Sequence, residues 1–213
     1  MASTVLAHAA QRSSTALATA DDCLAHRPGC SCVDTSMRAL RFAATDLEYH
    51  AFYAAASPAR KTSWAFVGFN LSNSAVGYQT ACAAFSNRQD GPGGAEDGDV
   101  GGFFYGDVWF WCESTGSGGN DTAAAARFAY NRTSGELEIS QRWTCRDDPM
   151  FPITFNATAT VSTANTTCND TSWTTSAQTA EQGGSSEEDL WERKVVCGPV
   201  NITFQADYLS AWE

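Results

Sequence analysis

The chain has 213 residues, 43% of them hydrophobic and 12% aromatic, with a formal net charge of -11. That length and apolar content suffice for a real core and exclude a chain disordered from end to end. Its 13 Lys and Arg are scattered among 24 Asp and Glu; without a basic stripe, a nucleic-acid reader is excluded and an anionic membrane surface disfavoured.

No run of eighteen apolar residues occurs, so no membrane-spanning helix is expected. Residues 1–20 read as a leader. Ala18-Thr19-Ala20 before Asp21 suits a signal cleavage site, although His8, Gln11, Arg12, Ser13 and Ser14 interrupt the apolar run that such a signal needs. Residues 21–44 form a cysteine-bearing extension, and 45–213 form the main domain. There the pattern turns to period two, the mark of half-buried strands. Strands are expected near 47–53, 63–71, 76–85, 103–112 and 127–130. Alternation is cleanest at Leu137, Ile139, Gln141, Trp143 and Cys145, again at Ile153, Phe155, Ala157, Ala159 and Val161, and at Val200, Ile202, Phe204, Ala206 and Tyr208. Polar stretches at 89–102, 114–121 and 169–189 read as long loops. The expected fold is all-β, an antiparallel barrel or sandwich of about seven to nine strands.

Seven of nine asparagines lie in Asn-X-Ser/Thr sequons: Asn70, Asn120, Asn131, Asn156, Asn165, Asn169 and Asn201. That motif is read only in the secretory pathway, so its density points to an extracellular, secreted glycoprotein. Asn156 with Thr158, and Asn201 with Thr203, fall on the polar parity of their strands, where a glycan must point. Asn131-Arg-Thr-Ser-Gly135 sits where a hairpin turn belongs.

Eight cysteines allow 105 pairings. Cys82 and Cys112 each sit late in a strand pattern, and Cys168 and Cys197 bracket the acidic loop; closing either loop would stabilise the fold by roughly 3–4 kcal/mol. Cys145 would then fall to one of Cys23, Cys30 or Cys32. A zinc site built from Cys23, His26, Cys30 and Cys32 is the alternative, but Cys-X-Cys is not a usual finger spacing and secreted thiols oxidise. Structural disulfides, with no metal and no cofactor, are expected.

From Leu47 onward the features follow one order, opening with Asp46-Leu-Glu-Tyr-His-Ala-Phe52, Trp64-Ala-Phe-Val-Gly-Phe69, Tyr78-Gln-Thr-Ala-Cys82 and Val108-Trp-Phe-Trp-Cys112. Arg127-Phe-Ala-Tyr130, Leu137-Glu-Ile-Ser-Gln-Arg-Trp-Thr-Cys145 and Phe155-Asn-Ala-Thr-Ala-Thr-Val161 continue it, and Cys168, Cys197 and Val200-Asn-Ile-Thr-Phe204 end it. That order resembles the Alternaria major-allergen-like family of small secreted fungal β-barrel proteins. The resemblance implies a secreted β-barrel with Cys82–Cys112 and Cys168–Cys197 as its two bridges. It also implies a fungal source and a role at the host interface, as allergen or elicitor. It brings no catalytic residues.

Catalytic signals are sparse. His50 is the one imidazole on an expected strand, and no nucleophile elbow, HEXXH, P-loop or dinucleotide fingerprint occurs. Glu113, Glu136 and Glu138 are the carboxylates an all-β glycosidase would draw on; Asp147-Asp148-Pro149 reads as a turn, and Glu187-Glu188-Asp189 as a solvated loop. Trp109 and Trp111 lie opposite in parity to Val108, Phe110 and Cys112. A central strand buried on both faces is the favoured reading of that segment. Were the second face open, the two indoles would form a platform about 7 Å long for sugar rings. An apolar ligand in a barrel mouth lined by Trp64, Phe66, Tyr78 or Trp143 is a further reading. The leading expectation is a non-enzymatic secreted glycoprotein acting on a host or cell-wall protein or glycan. A carbohydrate-binding module using Trp109 and Trp111 comes next, and a glycoside hydrolase third.

Overall fold

A computed structural model describes residues 31–57, 60–76, 78–90, 104–114, 125–164, 166–176 and 189–213. One short helix, α1 (Cys32–Ser36), precedes eleven strands: β1 (Arg41–Ser57), β2 (Arg60–Asn73), β3 (Thr80–Asp90), β4 (Phe110–Trp111), β5 (Glu113–Ser114), β6 (Ala126–Asn131), β7 (Glu136–Cys145), β8 (Ile153–Ser162), β9 (Cys168–Ser176), β10 (Asp189–Gln205) and β11 (Tyr208–Trp212). They build a six-stranded sheet in the order β5-β3-β2-β1-β10-β9 and a five-stranded sheet in the order β11-β8-β7-β6-β4. Neither sheet closes on itself, so the architecture is a sandwich and not a barrel.

The alternation explains the layers. Inward residues of β1 and β2, among them Phe42, Tyr49, Ala65, Val67 and Leu71, meet Phe128, Leu137, Ile139 and Phe155 from the small sheet. Phe69 reaches across to Phe128 in an edge-to-face contact with centroids 5.1 Å apart. One polar pair crosses the core: Asn73 Nδ2 donates to Gln141 Oε1 at 2.6 Å, while Asn73 Oδ1 accepts from the amides of Ala75 and Val76.

Among the described residues three disulfides tie the edges. Cys82–Cys112 joins β3 of the large sheet to the point where the chain leaves β4 of the small sheet for β5. Cys168–Cys197 links directly opposed residues of β9 and β10. Cys32–Cys145 holds α1 to the end of β7, and Asp147 caps that helix by accepting from the amides of Cys32 and Val33. Ser36 Oγ accepts from Trp143 Nε1 at 2.9 Å on the helix's buried side.

Several expectations need correction. The strand count exceeds seven to nine because β4 and β5 have only two residues each and because β9 lies where a loop was expected. β9 is an edge strand whose residues 168–174 are all exposed, so it never alternates; its nine-pair register with β10 holds it instead. The Val200–Tyr208 pattern is two strands. At Ala206 and Asp207 the chain passes from the large sheet to the small one, and the Asp207 carboxylate accepts from the Thr160 amide at 2.6 Å. Of the strand expected at 103–112, residue 103 lies outside the described residues and 104–112 is mostly irregular, with Phe104 plugging the core, Tyr105 in an isolated bridge to Asn131, and Phe110 and Trp111 paired to β6. β1 begins at Arg41, so residues 41–44 of the expected extension are paired strand. No helix among the described residues is long and apolar enough to cross a membrane.

Candidate functional site

β4 is short because it sits at the edge of the small sheet, just before the crossing at Cys112. Phe110 fixes its facing: the ring packs inward, 5.5 Å from Phe104 and 5.6 Å from Phe128. With Phe110 and Cys112 inside, period two turns Trp109 and Trp111 to the outer face. The favoured reading of a strand buried on both faces is therefore wrong. Trp111 is 66% exposed and Trp109 36%, because no layer covers the outer face of this sheet among the described residues.

Arg127 completes the group. It lies directly opposite Trp111 across the β4–β6 pair, and its guanidinium carbon stands 4.8 Å from the centre of the Trp109 ring and 6.0 Å from that of Trp111. Such cation–π contacts are worth about 0.5–1 kcal/mol each at exposed sites. One cation thus orients both indoles and brings hydrogen-bond donors between two apolar ring faces. The arrangement suits a partner with C–H faces to stack and oxygen atoms to receive N–H bonds. Sequence parity found the indoles; it did not find Arg127, because its contact comes from strand pairing across some sixteen residues of chain.

The remaining candidates do not assemble into a second site. Trp64 and Phe66 stand on the outer face of the large sheet, while Trp143 is buried inside and bonded to Ser36. Tyr78 is half-buried, and burial pushes its hydroxyl up to about 12. A common ligand mouth lined by these four does not exist. Trp64 instead stacks with Phe52 and Phe85, each at 6.0 Å, and Phe66 lies over Gly68, where a Cβ would come within 2.7 Å of the ring. His50 Nε2 bonds Glu48 Oε2 at 3.0 Å on that outer face.

Several carboxylates are engaged structurally. Asp147 caps α1, Asp148 accepts from the Met150 amide, and Glu136 accepts from Ser134 Oγ at 2.8 Å. Arg193, through hydrogen bonds, holds the Asp170 carboxyl below its ordinary value. Glu113 is exposed on β5 in the other sheet from Glu136 and Glu138, while Glu187 and Glu188 lie outside the described residues.

Among the described residues no group of three or more His, Cys, Asp or Glu could hold a metal ion. Cys32, one ligand of the zinc alternative, is consumed by its bridge to Cys145; Cys23, His26 and Cys30 fall outside the described residues, as do His8, Asn120 and Asn165. The five described sequon asparagines all point outward. Asn169 and Asn201 are exposed, and Asn70, Asn131 and Asn156 half-exposed. Asn131 begins the β6–β7 hairpin, its Oδ1 accepting from the amides of Thr133 and Ser134.

A family model described as Alternaria alternata allergen 1 matches residues 45–197. No curated protein and no solved structure matches the chain.

Proposed function

Because the chain belongs to the Alternaria alternata allergen 1 family, and is thus an allergen-type protein, we propose that it is a secreted, non-enzymatic glycoprotein that recognises a cell-wall or host glycan through Trp109, Arg127 and Trp111. The observation that carries the reading is the pair of solvent-facing indoles with one guanidinium between them. An edge strand that hides Phe110 has no packing need for two exposed tryptophans beside it. Large side chains left in water around a cation are the usual anatomy of a binding hot spot.

Three disulfides and outward-facing sequon asparagines support passage through an oxidising, glycosylating compartment. The net charge of -11 favours neutral or weakly cationic glycans over polyanions. The test is a glycan array probed with the secreted chain beside a Trp109→Ala/Trp111→Ala variant. Binding to a defined glycan class that the variant loses supports the reading. An array blank for both removes glycan recognition and leaves a protein partner as the occupant of this face.

A further inference from the structure

We propose that Asn156 carries an N-linked glycan whose first sugars seat on the outer face of the small sheet, between Tyr208 and Trp212. This rests on the secreted reading above.

Asn156 stands on the outer face of β8, half-exposed, and its side-chain amide makes no hydrogen bond to any described residue. The strand register surrounds it. Arg142 faces it from β7 and Ser210 from β11. Tyr208 lies opposite Thr158, the sequon threonine, and Trp212 opposite Thr154. The two rings are therefore the diagonal neighbours of Asn156, roughly 7–8 Å away in an antiparallel pair. Between them lies only the small side chain of Ser210.

Both rings are left in water, Tyr208 at 62% and Trp212 at 44% exposure. Inward packing by β11 falls to Leu209, so the core gains nothing from the aromatic character of positions 208 and 212. Arg142 reaches across β8 until its guanidinium carbon is 5.5 Å from the Trp212 ring centre, which places cationic donors beside Asn156. Two aromatic walls, a small floor and a guanidinium suit a pyranose: ring C–H groups lie on the aromatics, and acetamido and hydroxyl oxygens accept from Arg142.

Two other described sequons, those of Asn70 and Asn201, lack this surround. Asn70 Nδ2 donates to Asp46 Oδ2, and Asn201 Oδ1 accepts from the Asp46 amide. Those two are held by a backbone bulge in β1 with no aromatic ring paired across from them.

Attachment needs a lipid-linked oligosaccharide pyrophosphate as donor. Asn156 Nδ2 forms a bond to sugar C1, the C1–O bond to pyrophosphate breaks, the lipid pyrophosphate leaves with the bonding pair, and the amide gives up one proton.

The test uses the full chain secreted from a eukaryotic host. Enzymatic glycan release followed by peptide mapping is expected to convert position 156 to Asp. Asn156→Gln, and separately Thr158→Ala, should lower Tm by about 2–4 °C. In a Tyr208→Ala/Trp212→Ala background, Asn156→Gln should then give no further shift. Asn156 bare while Asn169 or Asn201 is occupied overturns the proposal and leaves the secreted reading intact. An occupied Asn156 whose loss shifts Tm equally in both backgrounds, or in neither, overturns the seating. A chain bare at every sequon overturns both.

Discussion

Two disulfides with nearly equal loops do different mechanical work, and removing each in turn separates the two roles. Cys82–Cys112 spans 30 residues and Cys168–Cys197 spans 29, so the chain-entropy model assigns each about 3.5 kcal/mol. The first clips the edge of one sheet to the other; the second joins neighbours in one sheet already held by nine register pairs. Cys82 is also buried, at 1% exposure, whereas Cys168 is exposed. Cys82→Ala/Cys112→Ala should therefore cost somewhat more than the entropy figure, about 4–5 kcal/mol. Cys168→Ala/Cys197→Ala should cost about 3 kcal/mol or less.

Urea unfolding followed by tryptophan fluorescence measures both. The sharper readout is near-ultraviolet circular dichroism under native conditions. Trp111 adjoins Cys112, and β4 has only two paired residues, so the indole signal should weaken in the first variant and persist in the second. Equal losses with an unchanged indole spectrum in both would refute the view that the Cys82–Cys112 clip positions Trp109 and Trp111.

Asn73→Ala strands Gln141 in the core and removes the acceptor for two turn amides. A loss of about 2–3 kcal/mol is expected by chemical denaturation, and a loss near zero would show that the pair is dispensable. Gly198 has φ +88, and a Cβ there would stand 2.3 Å from the Leu47 carbonyl oxygen. Gly198→Ala should lower stability by at least 2 kcal/mol in the same assay. Burial, as the largest cause, raises the pKa of Tyr49, Tyr78 and Tyr130. Their neutral forms stabilise the fold fully below the ordinary phenol pKa of about 10. That stability is lost as pH climbs from there through the folded values, which for Tyr78 is about 12. Phenolate absorbance should show these three ionising only as the sandwich unfolds. Smooth titration of Tyr49, Tyr78 and Tyr130 in a folded chain would contradict the burial.

Period two made β7 and β8 legible, because each has one wet face and one dry face. Leu137 through Cys145 reads inward and Glu138 and Arg142 outward. The Asn131–Gly135 turn was legible for a local reason: an Asx side chain and a positive-φ glycine suffice to make it. β9 was not, since an edge strand exposed on both faces carries no alternation and is fixed by its partner. The break at Ala206 and Asp207 was also hidden, because the apolar alternation of the sequence runs on to Tyr208, whereas in the fold Tyr208 faces solvent and Leu209 takes the inward place as the hydrogen bonds change partner. At the site, Trp109 and Trp111 were visible as a parity, but their exposure was not. Whether a strand's second face is covered depends on layers that one strand's pattern does not encode.

Recognition through the Trp109–Arg127–Trp111 surface is measured by calorimetric titration with cell-wall oligosaccharides. The secreted chain should bind one class, and Trp109→Ala/Trp111→Ala should weaken binding about ten- to a hundredfold while leaving the unfolding midpoint nearly unchanged. Unaltered affinity in a folded double variant would contradict the claim.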